Sequence, residues 1–373
     1  MSGRRAGVSQ ELAEPEIDPS LAARLLAWYA RERRDLPWRG VRDPYAVWVS
    51  ETMLQQTRVQ TVLPYYERFM RELPTVRALA EAPEEQVLAL WSGLGYYRRA
   101  RMLQTAARRV AAEHGGRIPE EENALRELEG VGPYTAGAIA SIAFGRRAAL
   151  VDGNVSRVLA RIFAVDDDVK TAAGSARIWR LARRLVEAAV GNPGDWNQAL
   201  MELGATVCTP RDPLCASCPV RMNCRAVALG AVYRRPRTGQ KTPPRRVERA
   251  TVVLASSRAV LLARRTKGTL WGGLWEPPSA EGEIACLAES LDLDVRSLES
   301  AGEVVHILSH RRMRVQVASG PLPKRKVWNL PGPDYDAIEP VALEHIARRA
   351  HSTLARKVLI MAKVAFPSLL WKA

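Results

Sequence analysis

Between Ser20 and about Leu229 the apolar residues recur at helical spacing, with polar residues on the opposite faces. The segments 21–34 (LAARLLAWYARERR), 44–57 (PYAVWVSETMLQQT), 83–95 (PEEQVLALWSGLG), 99–116 (RARMLQTAARRVAAEHGG) and 176–191 (ARIWRLARRLVEAAVG) each predict a helix on that pattern. Gly93 and Gly115 stand where the stripe breaks off, as helix stops do, and Pro83 stands where a first helical turn tolerates proline. Residues 1–18 carry no stripe and are expected to form a disordered tail.

The period changes further on. The stretch YRRPRTGQKTPPRRVER (233–249) holds three prolines, many cations and almost nothing apolar, which predicts an extended basic linker over 230–246. Beyond it the alternation shortens to two in ATVVLASS (250–257), AVLLARRT (259–266), EVVHILSH (303–310) and MRVQVASG (313–320), predicting strands. An amphipathic stretch, HSTLARKVLIMAKVAF (351–366), closes the chain as a helix. The fold class expected is an all-α domain over 19–229, a tether, and a smaller α+β domain over 247–373.

Charge and cysteines narrow the chemistry. The 373-residue chain carries a formal net charge of +15, and a folded protein this basic usually faces a polyanion, nucleic acid being the commonest. No run of 18 apolar residues predicts a membrane span, and the N-terminus lacks the apolar core of a secretory signal. A cytoplasmic setting with reduced thiols is therefore expected. Of five cysteines, four fall in CTPRDPLCASCPVRMNC (208–224) with the spacing C-x6-C-x2-C-x5-C. In a reducing compartment that cluster points to a metal centre, with zinc and iron–sulfur both open on chemistry alone.

Two carboxylates stand in contrasting surroundings. Glu51 lies among Val47, Trp48, Val49, Met53 and Leu54. In apolar surroundings a carboxyl keeps its proton to higher pH and can act as an acid near neutrality. Asp152 lies in LVDGNVSRVLARIF (150–163), where a helix should begin. Backbone N–H groups and the positive helix end are expected to hold it ionised. A proton donor and a persistent anion are the pair that glycosidic bond cleavage requires. Between them in sequence, LEGVGPYTA (128–136) has the form of a helix-hairpin-helix. Gly130 and Gly132 are expected to allow the tight turn and leave backbone N–H groups free for a DNA phosphate.

Together the hairpin, the aspartate after it and the cysteine knot resemble the helix-hairpin-helix DNA glycosylases of the endonuclease III superfamily. LPWR (36–39), WVSETMLQQTRV (48–59), GLGYYRRAR (93–101), GVGPYTAGAIA (130–140) and VDGNVSRVLAR (151–161) look specifically like the MutY-type adenine DNA glycosylases. The resemblance is dense over 21–228 and looser beyond. It implies an all-α helix-hairpin-helix glycosylase domain with an iron–sulfur subdomain, its 4Fe–4S cluster on Cys208, Cys215, Cys218 and Cys224. It implies that Glu51 protonates adenine and that Asp152 stabilises or transiently traps the oxocarbenium-like sugar, supported by Asn154 and Tyr134. Trp38, Arg39, Leu54 and Gln198 would line the pocket for the extruded base, while Gln56 and Tyr96 would wedge into the stack. Lyase relatives carry a lysine where Tyr134 stands. A tyrosine cannot form an imine, so a monofunctional enzyme is expected, with water as the final nucleophile.

RRTKGTLWGGLWEPPSAEGE (264–283) resembles the start of a Nudix fold. Nudix hydrolases hold magnesium on a helix rich in glutamate, whereas CLAESLDLDV (286–295) offers only Glu289, so a reader and not a pyrophosphatase is expected. In the family this domain senses 8-oxoguanine through a Phe-Ser-His loop. Here Ser309 and His310 match the polar pair, and Leu308 replaces the aromatic. The expected partner is double-stranded DNA bearing adenine opposite 8-oxoguanine or guanine, bound by a monomer at the nucleoid. Two other readings compete. A thymine-mismatch glycosylase can also lack the lysine, but the Nudix-like reader and the glutamate of SETMLQQT argue against it. A non-catalytic DNA-binding protein would have no need of both Glu51 and Asp152.

Overall fold

The computed structural model describes residues 18–239 and 243–364. The chain runs α1 (Pro19–Glu32), α2 (Pro44–Leu54), α3 (Val59–Glu72), α4 (Val76–Glu81), α5 (Glu84–Leu90) and α6 (Arg98–Glu113). It continues through α7 (Glu122–Arg126), α8 (Pro133–Ala138), α9 (Gly153–Ile162), α10 (Ala172–Ala188), α11 (Pro193–Thr206) and α12 (Arg225–Ala228). The C-terminal part is β1 (Arg245–Ala255), β2 (Ala259–Arg265), β3 (Trp275–Glu276), β4 (Ser279–Glu281), α13 (Ile284–Ser290), β5 (Glu299–Ile307), β6 (Arg311–Pro321), β7 (Tyr335–Ala342) and α14 (Thr353–Met361).

Local chemistry sets the helix starts. Side chains of Asp43, Thr75, Asp152, Thr171 and Asn192 accept the otherwise orphaned first-turn N–H groups of α2, α4, α9, α10 and α11. The expected tail lies outside the described residues except for Asp18, which belongs to α1 as its cap and accepts Ser20 N–H at 2.8 Å. Pro83 is the N-cap of α5 and not part of its first turn. No helix among the described residues is long and apolar enough to cross a membrane.

Two compact units divide these elements. The first comprises residues up to Asp35, Glu120–Asn123 and Gly132–Gly239. Its core joins Leu25 and Tyr29 of α1 to Leu159 of α9, Ile178 of α10, and Trp196 and Leu203 of α11. A partly buried ion pair accompanies that core. Glu202, its side chain wholly inaccessible, receives Arg34 Nε at 2.6 Å and Nη2 at 3.0 Å.

The second unit comprises Leu36–Pro119, Ala124–Val131 and the chain after Gly239. Tyr45 through Met53 are all buried, so α2 is enclosed on every face. The sheet runs β3-β2-β1-β6-β5, with β4 added to β1 and β7 to β2, and β1 and β6 are parallel. Alternate strand residues enter two clusters. Val253, Leu262, Met313 and Val315 pack with Leu354 and Val358 of α14. Ala250, Val252 and Leu261 pack with Leu287 of α13. The hydroxyls of Ser92 and Tyr97 donate to the His351 carbonyl at 2.9 and 2.6 Å, joining the helices of this unit to its sheet portion.

The segment read as an extended linker is structured at both ends. Arg161 Nε donates to the carbonyls of Val232 and Arg235, and Gly239 N–H donates to Asp168, so residues through Gly239 belong to the first unit. At the other end β1 starts at Arg245, because ladder pairing with β6 extends into the polar residues. Strands β3, β4 and β7 carried no sequence signal. Two are very short, and β7 contains Pro340 in place of clean alternation.

Candidate active site

In the first unit the chemistry gathers on α9. Asp152 caps it, its Oδ1 accepting Val155 N–H at 2.7 Å and its Oδ2 accepting Asn154 Nδ2 at 3.0 Å. Asn154 Oδ1 in turn accepts Arg157 Nη2 at 2.8 Å. The same guanidinium donates to Gly204 O and, through Nε, to Cys208 O, both at 2.8 Å. Gly204 makes this possible: a Cβ there would lie 2.6 Å from Asn154 Cβ, so α11 approaches α9 this closely only with bare backbone. Burial pushes the Asp152 carboxyl above its ordinary value, outweighing these hydrogen bonds and Arg157. The sequence reading expected capping to hold this carboxyl ionised, and burial acts against the caps.

Tyr134 is the second residue of α8, and its hydroxyl lies 3.5 Å from Met201 Sδ on α11. Gln198 is buried on that same helix. The two hairpin glycines differ. Gly130 takes φ +78°, where its missing Cβ also avoids Met102 at 2.8 Å, while Gly132 takes φ −84° and is not required by backbone conformation.

Cys208, Cys215, Cys218 and Cys224 line one cavity together with Val158, Leu203 and other apolar residues. Arg161, buried at the end of α9, donates from Nη1 to Cys208 Sγ at 3.3 Å and to Thr209 O at 2.7 Å. Although the thiols share this cavity, among the described residues no three His, Cys, Asp or Glu side chains are close-set enough to hold one metal ion.

The second unit holds the other candidates. Glu51 is only 5% exposed on α2. Trp38 is buried edge-on to Tyr66, centroids 5.1 Å apart, and Arg39 closes the turn with its N–H on Leu36 O at 2.8 Å. Leu54, half-buried, ends α2. The two wedge candidates share a feature absent from the sequence pattern: Gln56 has φ +58° and Tyr96 φ +49°, both left-handed and both exposed. Arg99 holds both turns. It donates to Thr52 O at 2.7 Å, Met53 O at 3.0 Å and Thr57 Oγ1 at 3.2 Å, then to Gly95 O at 3.3 Å, and stacks over the Tyr96 ring. Burial lowers its pKa to about 10, so it stays cationic at neutrality.

Ser309 and His310 form the exposed turn between β5 and β6, Ser309 Oγ lying 3.4 Å from His310 Nδ1. Leu308 is half-buried against the α14-side core, which explains an aliphatic residue there. Glu289 is exposed on α13. Sequence reasoning missed Arg99, Arg157 and Arg161, although each lies inside a quoted motif, because an arginine's partners are set by the fold.

Residues 49–184 match the family model described as HhH-GPD superfamily base excision DNA repair protein, and residues 249–361 match the NUDIX domain. The chain is 42% identical to the adenine DNA glycosylase of Mus musculus, over 79% of this chain and 69% of that protein. It is 35% identical to the adenine DNA glycosylase of Schizosaccharomyces pombe, over 77% and 78%. Among solved structures, a thermostable thymine-DNA glycosylase superposes with TM-score 0.51 at 32% identity, covering 56% of this chain and 96% of that one. The fold and these matches define a helix-hairpin-helix DNA glycosylase of base excision repair with an appended Nudix-like domain. The extent of the mouse match places it further: the chain belongs to the adenine DNA glycosylase family.

Proposed function

We propose that this enzyme hydrolyses the N-glycosidic bond of adenine paired with 8-oxoguanine or guanine in duplex DNA and leaves the strand intact. The observation that carries the reading is the burial of Glu51 in a helix enclosed on every face. A carboxyl so enclosed is suited to hold a proton and pass it to the adenine ring, making the base a better leaving group. Asp152 is the counterpart. Its charge is penalised by burial, and a cationic sugar developing opposite it offsets that penalty in the transition state. Asn154 holds one carboxylate oxygen, and Tyr134 stands where a lysine would be needed for strand cleavage.

Trp38, Arg39, Leu54 and Gln198 would line the adenine pocket. Gln56 and Tyr96 would hold the opened stack, whose disruption costs a few kcal/mol. The N–H groups around Gly130 and Gly132 would take a phosphate, and Ser309 with His310 would read the oxidised guanine.

The four cysteines fit a 4Fe–4S cluster. They share one apolar cavity, and Arg161 supplies the N–H···S donor that a cluster thiolate accepts. When bound, the cluster would supply covalent ties across 208–224, and Arg161 and Arg157 would hold that segment to α9.

Single-turnover incubation with duplexes carrying A:8-oxoguanine, A:G, T:G and A:T tests the proposal. Adenine release from the first two, with strands that break only after alkali, is expected. Thymine release with adenine untouched would favour the thymine-mismatch reading, and binding without release would favour a non-catalytic one.

A further inference from the structure

The parallel pairing of β1 with β6 sets Arg245 beside Arg311 and Arg246 beside Arg312. Partners on neighbouring strands are about 4.8 Å apart, and like charges so placed repel. Successive rows face opposite sides of the sheet, so on the face of Arg246 and Arg312 the end row carries like charge that an anion laid across it would relieve. The next row is balanced: Arg314 is opposite Glu248 and ion-paired with Glu303. The four arginines are not. None of them has an ion-pair partner among the described residues, and Arg245, Arg246 and Arg312 are exposed.

Their surroundings narrow the partner. Arg312 is paired on its other side with Ile307, which is 67% exposed. Further along the same sheet face, Ala250 and Val252 are covered by α13, so the bare portion ends there. Ser309 and His310 adjoin it, since Arg245 N–H donates to His310 O at 3.0 Å. A cationic patch with an apolar edge, continuous with an exposed polar turn, fits a sugar–phosphate backbone better than a protein surface.

We propose that the Arg246–Arg312 row binds phosphates of duplex DNA and seats the backbone beside the Ser309–His310 turn. The inference rests on the reading of this chain as an enzyme acting on duplex DNA.

The test uses the full chain and fluorescence anisotropy over a salt series, on an undamaged duplex and on one carrying A:G. Each phosphate contact contributes about 0.9 to the log–log salt slope, so Arg246→Gln/Arg312→Gln should reduce it by about 1.8 on both duplexes. Arg246→Lys/Arg312→Lys should restore it, because phosphate contact needs charge and not a fork. Arg296→Gln, at the opposite end of β5 and paired with Asp294, should leave it unchanged. A wild-type slope in the Gln double variant, the same loss in the Arg296 variant, or no restoration by lysine would each overturn the proposal. Adenine release is scored separately. A chain that binds with the expected slope but releases no adenine refutes the catalytic reading and leaves the arginine row standing.

Discussion

Arg157 joins two places that the chain keeps far apart in sequence: its Nε lies 2.8 Å from the carbonyl oxygen of Cys208, and its Nη2 lies 2.8 Å from Oδ1 of Asn154. Through Asn154 the contact reaches Asp152. Replacing it with Met keeps the apolar stem and removes every donor. A lost hydrogen bond to a charged group costs about 1.5–3 kcal/mol, roughly 10–150-fold in rate when it is felt in the transition state. Arg157→Met should slow single-turnover excision by that order with duplex affinity close to wild type. An unchanged rate would show that Asp152 needs no support from this side.

Asp152 also makes a pH prediction. Its native pKa is raised by burial, so the folded state binds the proton more tightly than the unfolded state does. The sign follows: its contribution to stability is fully present below the ordinary value of 3.8 and is lost as pH rises through the folded value. Asp152→Asn cannot titrate. In urea unfolding at successive pH values, wild type should therefore lose stability relative to Asp152→Asn as pH climbs from 3.8 toward neutrality. A gain with rising pH would mean that the hydrogen bonds from Val155 and Asn154 outweigh burial.

Glu51→Gln is close to isosteric in its enclosed helix, and the amide has no acidic proton to give. Excision should fall by about 10²–10⁴-fold, the usual loss with a positioned general acid. Binding of an A:G duplex should be retained. Near wild-type turnover would remove Glu51 from the proton path.

Tyr134→Lys puts an amine on the second residue of α8, next to Met201. Borohydride should trap a covalent complex with the variant and none with wild type. Strand nicking should be weak, since the pocket was not shaped to lower that lysine's pKa. Abundant trapping with wild type, at the excision rate, would mean another amine reacts and the enzyme is not monofunctional.

Arg99→Met removes a side chain that hydrogen-bonds the turns bearing both Gln56 and Tyr96. Hydrogen bonds to a charged group contribute about 1.5–3 kcal/mol. A loss of about 2–3 kcal/mol in urea unfolding is expected, with preferential binding of a mispaired duplex over a matched one reduced. Preserved discrimination would show that the left-handed turns hold themselves.

The sequence announced the elements whose chemistry is local. Asp152 sits where a cap was expected, Glu51 is enclosed as its apolar neighbours required, and the β5–β6 turn carries Ser309 and His310. It did not announce what depends on distant partners. The strand β1 reaches back into the basic linker because β6 is there to pair with it. The raised pKa of Asp152 reflects burial by the folded chain, and the roles of Arg99 and Arg157 reflect carbonyls that only the fold supplies.

Glu202 and Arg34 are 168 positions apart, and the partly buried ion pair between them belongs to the first unit. Translation adds about 5–20 residues per second, so roughly 8–34 s separate the emergence of one partner from the other. Throughout that interval α1 has no α11 to pack against, and its Leu25 and Tyr29 stay without the Trp196 and Leu203 that complete their core. A ribosome stalled before α11 would thus hold a nascent chain whose first helix, although the first made, still lacks the partner that completes its core.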